Sequence, residues 1–98
     1  MPDLILYAGA KEDLAEGYAW YHKRSERAAT KFEREVDRAI EEIVASPEYW
    51  TKLDATHRFY RLKNYPYLIV YLTEPSRVII VAIAHASREL GYWRDRDA

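Results

Sequence analysis

The spacing of apolar residues along the chain follows a helical period in the first half and a strand period in the second. A short apolar run over residues 4–8, just before Gly9, predicts a first strand. Over residues 11–24, Leu14, Tyr18 and Tyr21 fall at i, i+4 and i+7, with Ala15 and Trp20 widening the stripe. Glu12 and Asp13 suit the positive end of a helix dipole, so this segment predicts a helix. Ser25 is a cap for a second helix over residues 26–45, whose stripe is Ala29, Phe32, Val36, Ala39, Ile40, Ile43 and Val44. Ser46-Pro47 ends it, because proline disfavours a helical conformation in the residue before it. A link this short folds the two helices back on each other as an antiparallel hairpin.

Residues 47–56 are irregular, and beyond them the pattern turns to β. Residues 57–62, 68–72 and 78–86 read as strands, separated by the turn-like Lys63-Asn64-Tyr65-Pro66 and Thr73-Glu74-Pro75-Ser76. Hairpin-length connections make these three an antiparallel meander. In the last strand Val78, Ile80, Ala82 and Ala84 alternate with Ile79, Val81 and Ile83, so both faces are apolar and the strand is expected to be central or covered on both sides. The predicted fold is α+β, in the order β-α-α-β-β-β, with a helical hairpin packed on one face of the sheet. The other face is left for a tail or a partner.

The chain has 98 residues, 49% hydrophobic and 32% charged, which is one domain with a single core. Cysteine is absent, so packing and hydrogen bonds alone must hold that core. The first residues, Met1-Pro2-Asp3-Leu4-Ile5-Leu6-Tyr7, lack the basic patch and long apolar stretch of a signal peptide, and the longest apolar run, residues 78–84, is too short to span a membrane. A soluble cytoplasmic protein without membrane partners is expected. Net charge is −1, but residues 1–56 carry 8 Lys/Arg against 12 Asp/Glu, and residues 57–98 carry 7 against 4. That asymmetry suits either an anionic partner on the C-terminal half or scattered solvated charge.

These features resemble the ParE-like toxins of the plasmid stabilisation group, within the RelE/ParE superfamily of type II toxin-antitoxin systems. The resemblance runs through Ala10, Asp13, Leu14, Trp20-Tyr21, Phe32, Val36, Pro47, Trp50, Arg58, Tyr65-Pro66-Tyr67 and Tyr71. Its most specific part is the closing run Ala82-Ile83-Ala84-His85-Ala86-Ser87-Arg88, followed by Gly91-Tyr92-Trp93-Arg94-Asp95-Arg96. Leu90 departs from the proline that commonly precedes that glycine. The resemblance implies a growth inhibitor neutralised by a cognate antitoxin protein, the two assembling as a hetero-oligomer. It leaves the target open: RelE-like members cut mRNA on the ribosome, whereas ParE-like members poison DNA gyrase.

Metal-independent RNA cleavage needs a group to accept the 2′-OH proton, another to protonate the leaving oxygen, and cations for the charge on phosphorus. His85 is placed for acid/base work at the end of the last strand, Arg88 and one of Arg58 or Arg61 for phosphate, and Tyr92 for base stacking or proton transfer. Arg58 and Arg61 lie on opposite faces by strand alternation, so at most one shares a face with His85. Each residue also has a plainer reading: His85 as a hydrogen-bonded structural residue, Tyr92-Trp93 as packing over the open sheet face, and Arg88 and Arg96 as partners for antitoxin carboxylates.

Tyr65, Tyr67, Trp93 and Arg96 are the candidate partner-binding residues. Among the other tyrosines, Tyr18, Tyr21 and Tyr71 suit either a partner surface or the core. His22 reads as a solvated helix residue, and His57 is unassigned. The three histidines show no HxxxH or HExxH spacing, there is no GxxxxGK loop and no nucleophilic cysteine, so neither metal nor cofactor is expected. Two functions remain: a non-nucleolytic, gyrase-directed toxin, or a ribosome-dependent mRNA endonuclease; an inactive or repurposed binding module is a third. The near-neutral charge is poor for a protein that must hold ribosomal RNA, and favours the first.

Overall fold

The computed structural model describes residues 2–89 and 91–96. β1 (Asp3–Leu6) leads into α1 (Ala8–His22) and α2 (Glu26–Ala45), followed by β2 (Thr51–Lys52), β3 (His57–Arg61), β4 (Tyr67–Glu74) and β5 (Arg77–His85). The strands form one sheet in the order β1-β5-β4-β3-β2, with β1 parallel to β5 and the other pairs antiparallel. This is the expected α+β architecture. β5 lies between β1 and β4, and both of its faces are apolar because the helical hairpin covers one and the C-terminal turn the other.

α2 forms as its pattern dictates. The Ser25 hydroxyl accepts the Ala28 amide at 3.2 Å, the stripe from Ala29 to Ile43 is buried, and the helix stops before Ser46-Pro47. α1 departs from its pattern. It begins at Ala8, three residues before the expected start, because the Tyr7 carbonyl accepts the amides of Ala10 and Lys11 without any side-chain cap to mark the position. Its buried residues are Ala10, Asp13 and Gly17, with Leu14 and Tyr21 partly covered; Ala15 and Trp20 face outward, and Trp20 is 51% exposed. Gly17 explains the difference. A Cβ there would lie 2.9 Å from Phe32 Cζ and 3.2 Å from the Tyr67 hydroxyl, so the helix packs through its smallest side rather than its most hydrophobic one.

The helical hairpin covers one face of the sheet, where Phe32, Val36 and Ile43 meet Tyr60, Ile69, Tyr71 and Ile80. On the other face Val70, Ile79, Val81 and Ala82 are closed by Trp93 of the C-terminal turn, 2% exposed, so the tail does cover the face that the helices leave open. β2, inside the segment expected to be irregular, has only two residues, both exposed, and gave no apolar signal.

A bulge in β5 alters the expected alternation. Val70 pairs with Ala82 and Tyr71 with Ile80, leaving Val81 without an opposite residue. Ile83 therefore joins Val78 and Ile80 on the helical side, and Ala82 joins Ile79 and Val81 on the other. His85, opposite Tyr67, follows Ile83 onto the helical side. Without the extra residue it would face the other way.

Candidate functional site

Past Leu6, β1 leaves the sheet and the bulged part of β5 loses its neighbour. Backbone groups stranded in this way must find partners elsewhere. Asp13 supplies one: its Oδ2 accepts the Ile83 amide at 3.0 Å, although the carboxylate sits on a helix. Arg96 supplies another, donating to the Val81 carbonyl at 3.1 Å while forming a two-pronged pair with Asp13 at 2.7 and 3.1 Å. To reach there the Arg96 side chain crosses Gly9, where a Cβ would overlap its guanidinium. Tyr92 completes the group by donating its hydroxyl to Asp13 at 3.1 Å. Asp13 is 5% exposed and joins α1, β5 and the C-terminal turn. Its charge suggested a role at the helix terminus; only its place at helical spacing between Ala10 and Gly17 signalled an inward position.

Beside this knot, a groove of about 460 Å³ opens between α1 and the end of β5, bordered by Glu16, Trp20, Tyr67, His85, Ser87 and Arg88. The His85 ring meets Tyr67 edge-on at 5.0 Å. Its Nδ1 lies 3.0 Å from the Ser87 amide and 2.7 Å from the Ser87 hydroxyl. A backbone amide can only donate, so Nδ1 is the acceptor and neutral His85 carries its proton on Nε2. The ring thus presents an N–H, with its lone pair already engaged.

Arg88 stacks on the Tyr92 ring with its guanidinium carbon 3.8 Å from the centroid and lies 3.9 Å from Asp13 Oδ1. Its side chain is 45% exposed, so donors remain available to the groove. The Tyr92 phenol is pushed up to about 12, first by burial and then by the negative charge of Asp13. It is a neutral donor, not a base. Asp13 also holds the Arg96 guanidinium above its usual value, opposed by partial burial.

The other candidates lie elsewhere. Arg58 shares the helical side of the sheet with His85 but pairs with Tyr71, four residues along β4 from Tyr67, or about 13 Å at ~3.3 Å per residue. There it donates to the Trp50 carbonyl at 2.7 Å. Arg61, opposite Leu68, is on the far face. Of the candidate partner-binding residues, Tyr67 and Trp93 are 7% and 2% exposed and Arg96 is held by Asp13. Tyr65 is half-buried, donating to the Ala28 carbonyl at 3.0 Å. Leu90, the departure from the resemblance, lies outside the described residues.

His57 acquires a role in holding the tail. Its ring lies 4.7 Å from that of Trp93, and Asp54 accepts its amide at 2.8 Å, the Thr56 amide at 2.9 Å and the Arg94 guanidinium. The Thr56 amide foremost, then Arg94 and the His57 amide, hold the Asp54 carboxyl well below the usual carboxylate range. A lowered folded-state value means that this clamp contributes fully above the unfolded carboxyl value of about 3.9 and is lost as pH falls through the folded value. As pH falls from about 4 toward the lower folded-state value, the Trp93 indole N–H resonance in NMR should therefore report a loosening tail in the wild type. Asp54→Asn should lack that step, and identical acid profiles would contradict the clamp.

Comparison with known proteins places the chain. Residues 4–90 match the family model described as the ParE toxin of the type II toxin-antitoxin system parDE. The chain belongs to the ParE toxin family. A solved structure of the chromosomal ParDE toxin-antitoxin system from P. aeruginosa is similar in fold, with a TM-score of 0.77 over 89% of this chain and 98% of that one at 18% identity. No curated protein matches. Among the described residues, no helix is long and apolar enough to cross a membrane.

Proposed function

We propose that this toxin arrests growth by binding a macromolecular target rather than by cutting RNA, that the target is DNA gyrase, and that a cognate antitoxin protein neutralises it. The carrying observation is the state of His85. With Nδ1 accepting from the Ser87 amide and the proton on Nε2, it has no free lone pair to take a 2′-OH proton. Tyr92 is no substitute, since its hydroxyl is committed to Asp13 and its pKa is raised to about 12. Arg58 stands at the other end of the sheet. What the groove does offer is recognition: the Arg88 guanidinium and the exposed Trp20 ring. The choice of gyrase rests on the ParE family match and the closing run from Ala82 to Arg96.

Induced alone in bacteria, the His85→Ala variant should still arrest growth. Arg88→Ala should require about tenfold more toxin for the same arrest, the usual scale for losing an anchoring arginine. Loss of arrest in His85→Ala at unchanged protein level would restore the ribosome-dependent endonuclease reading. Full arrest by Arg88→Ala at wild-type dose would mean that the groove does not bind the target.

A further inference from the structure

The second charged feature of the molecule lies on the outer face of α2, away from the groove. Arg27, Lys31, Arg34 and Arg38 are all exposed and follow one another at three- and four-residue spacing, one row along the helix. Among the described residues none of the four has a carboxylate at ion-pair distance. The helix dipole does not explain the row. Like charges at this spacing repel, and the last turn of α2, where cations are favoured by the helix dipole, contains no basic residue.

Lys31, Arg34 and Arg38 border a groove of about 610 Å³ whose opposite wall is Asn64 and Tyr65. That wall is fixed to the helix. Asn64 donates its amide and its side-chain nitrogen to the two carboxylate oxygens of Glu35 at 2.9 and 2.8 Å, and Tyr65 donates to the Ala28 carbonyl. Glu35, the one acidic residue lining the groove, is thereby occupied on both oxygens. The cations are left facing the opening.

We propose that this groove docks an acidic helical segment of a protein partner, with carboxylates at three- and four-residue spacing facing Lys31, Arg34 and Arg38. A protein fits better than a nucleic acid because the next row along α2 is acidic. Glu33, Asp37 and Glu41 are exposed at four-residue spacing, and a continuous polyanion would be repelled there. A partner helix carrying an acidic row beside a basic one satisfies both rows of α2 and fixes its own register, as charged flanks do in coiled coils. The inference goes beyond the proposed function and does not depend on the toxin's target.

The test uses the full chain and a synthetic helical peptide with glutamates at i, i+3 and i+7 and lysines on the adjoining flank. A peptide of the same composition in scrambled order and an oligothymidine strand are the comparisons. The ordered peptide should bind more tightly than either, and more weakly as salt rises. The combined Lys31→Glu, Arg34→Glu and Arg38→Glu variant, checked for native circular dichroism, should weaken binding at least about tenfold. A peptide with lysines in both rows should recover it, since both rows of the variant helix are then acidic. The proposal is overturned if the scrambled peptide binds equally, if neither peptide binds, if charge reversal changes nothing, or if oligothymidine binds through these cations more tightly than the ordered peptide.

Discussion

Replacing Asp13 with alanine should destabilise the fold by about 3–5 kcal/mol, the range for removing one partner of a buried ion pair. The substitution removes the acceptor of the Ile83 amide, the Tyr92 hydroxyl and both Arg96 prongs at once. It leaves the Arg96 charge, 20% exposed, without its carboxylate, and the edge of β5 without its acceptor. For a domain whose whole stability is roughly 5–15 kcal/mol, that is a large share. Asp13→Asn keeps an oxygen for Ile83 but loses the charge pairing, so its loss should be intermediate. Urea unfolding followed by far-ultraviolet circular dichroism gives the values. A cost under about 1 kcal/mol for Asp13→Ala, the size of one ordinary hydrogen bond, would mean that the knot does not hold the tail.

Phe32→Ala should cost about as much, roughly 3–5 kcal/mol, for a different reason. The ring is fully buried and lies 5.2 Å from Tyr21, 5.3 Å from Tyr65 and 4.9 Å from Tyr67, centroid to centroid. It also fills the space that Gly17 leaves open. Removing it opens a cavity between rings too constrained to collapse into it: Tyr65 is tied to Ala28, and Tyr67 is held in β4 opposite His85. Phe32→Leu keeps most of the volume and should cost less than half as much. Because His85 rests on Tyr67, the alanine variant should also shift the His85 ring resonances in NMR. Unperturbed resonances with the same loss of stability would separate the core from the groove.

How much of this was legible in the sequence depended on whether packing alone decided the element. α2 and the last three strands were readable because their inward residues are the apolar ones. α1 was only half readable, since its inward face includes an aspartate and a glycine while its tryptophan points to solvent. The bulge at Val81 left no mark in a run where every residue is apolar, and a strict two-residue alternation puts His85 on the wrong side of the sheet. The closing run could be recognised as a site, but the state of each member could not. That Arg96 and Tyr92 are bound to Asp13, some eighty positions earlier in the chain, is a property of the folded edge of β5.

A toxin that binds gyrase without cutting RNA halts DNA synthesis before protein synthesis. Pulse-labelling of DNA and protein synthesis in the minutes after the chain is induced alone in bacteria tests it most directly. DNA synthesis should fall first, with protein synthesis following later; if protein synthesis stops first, the toxin acts on translation and not on gyrase.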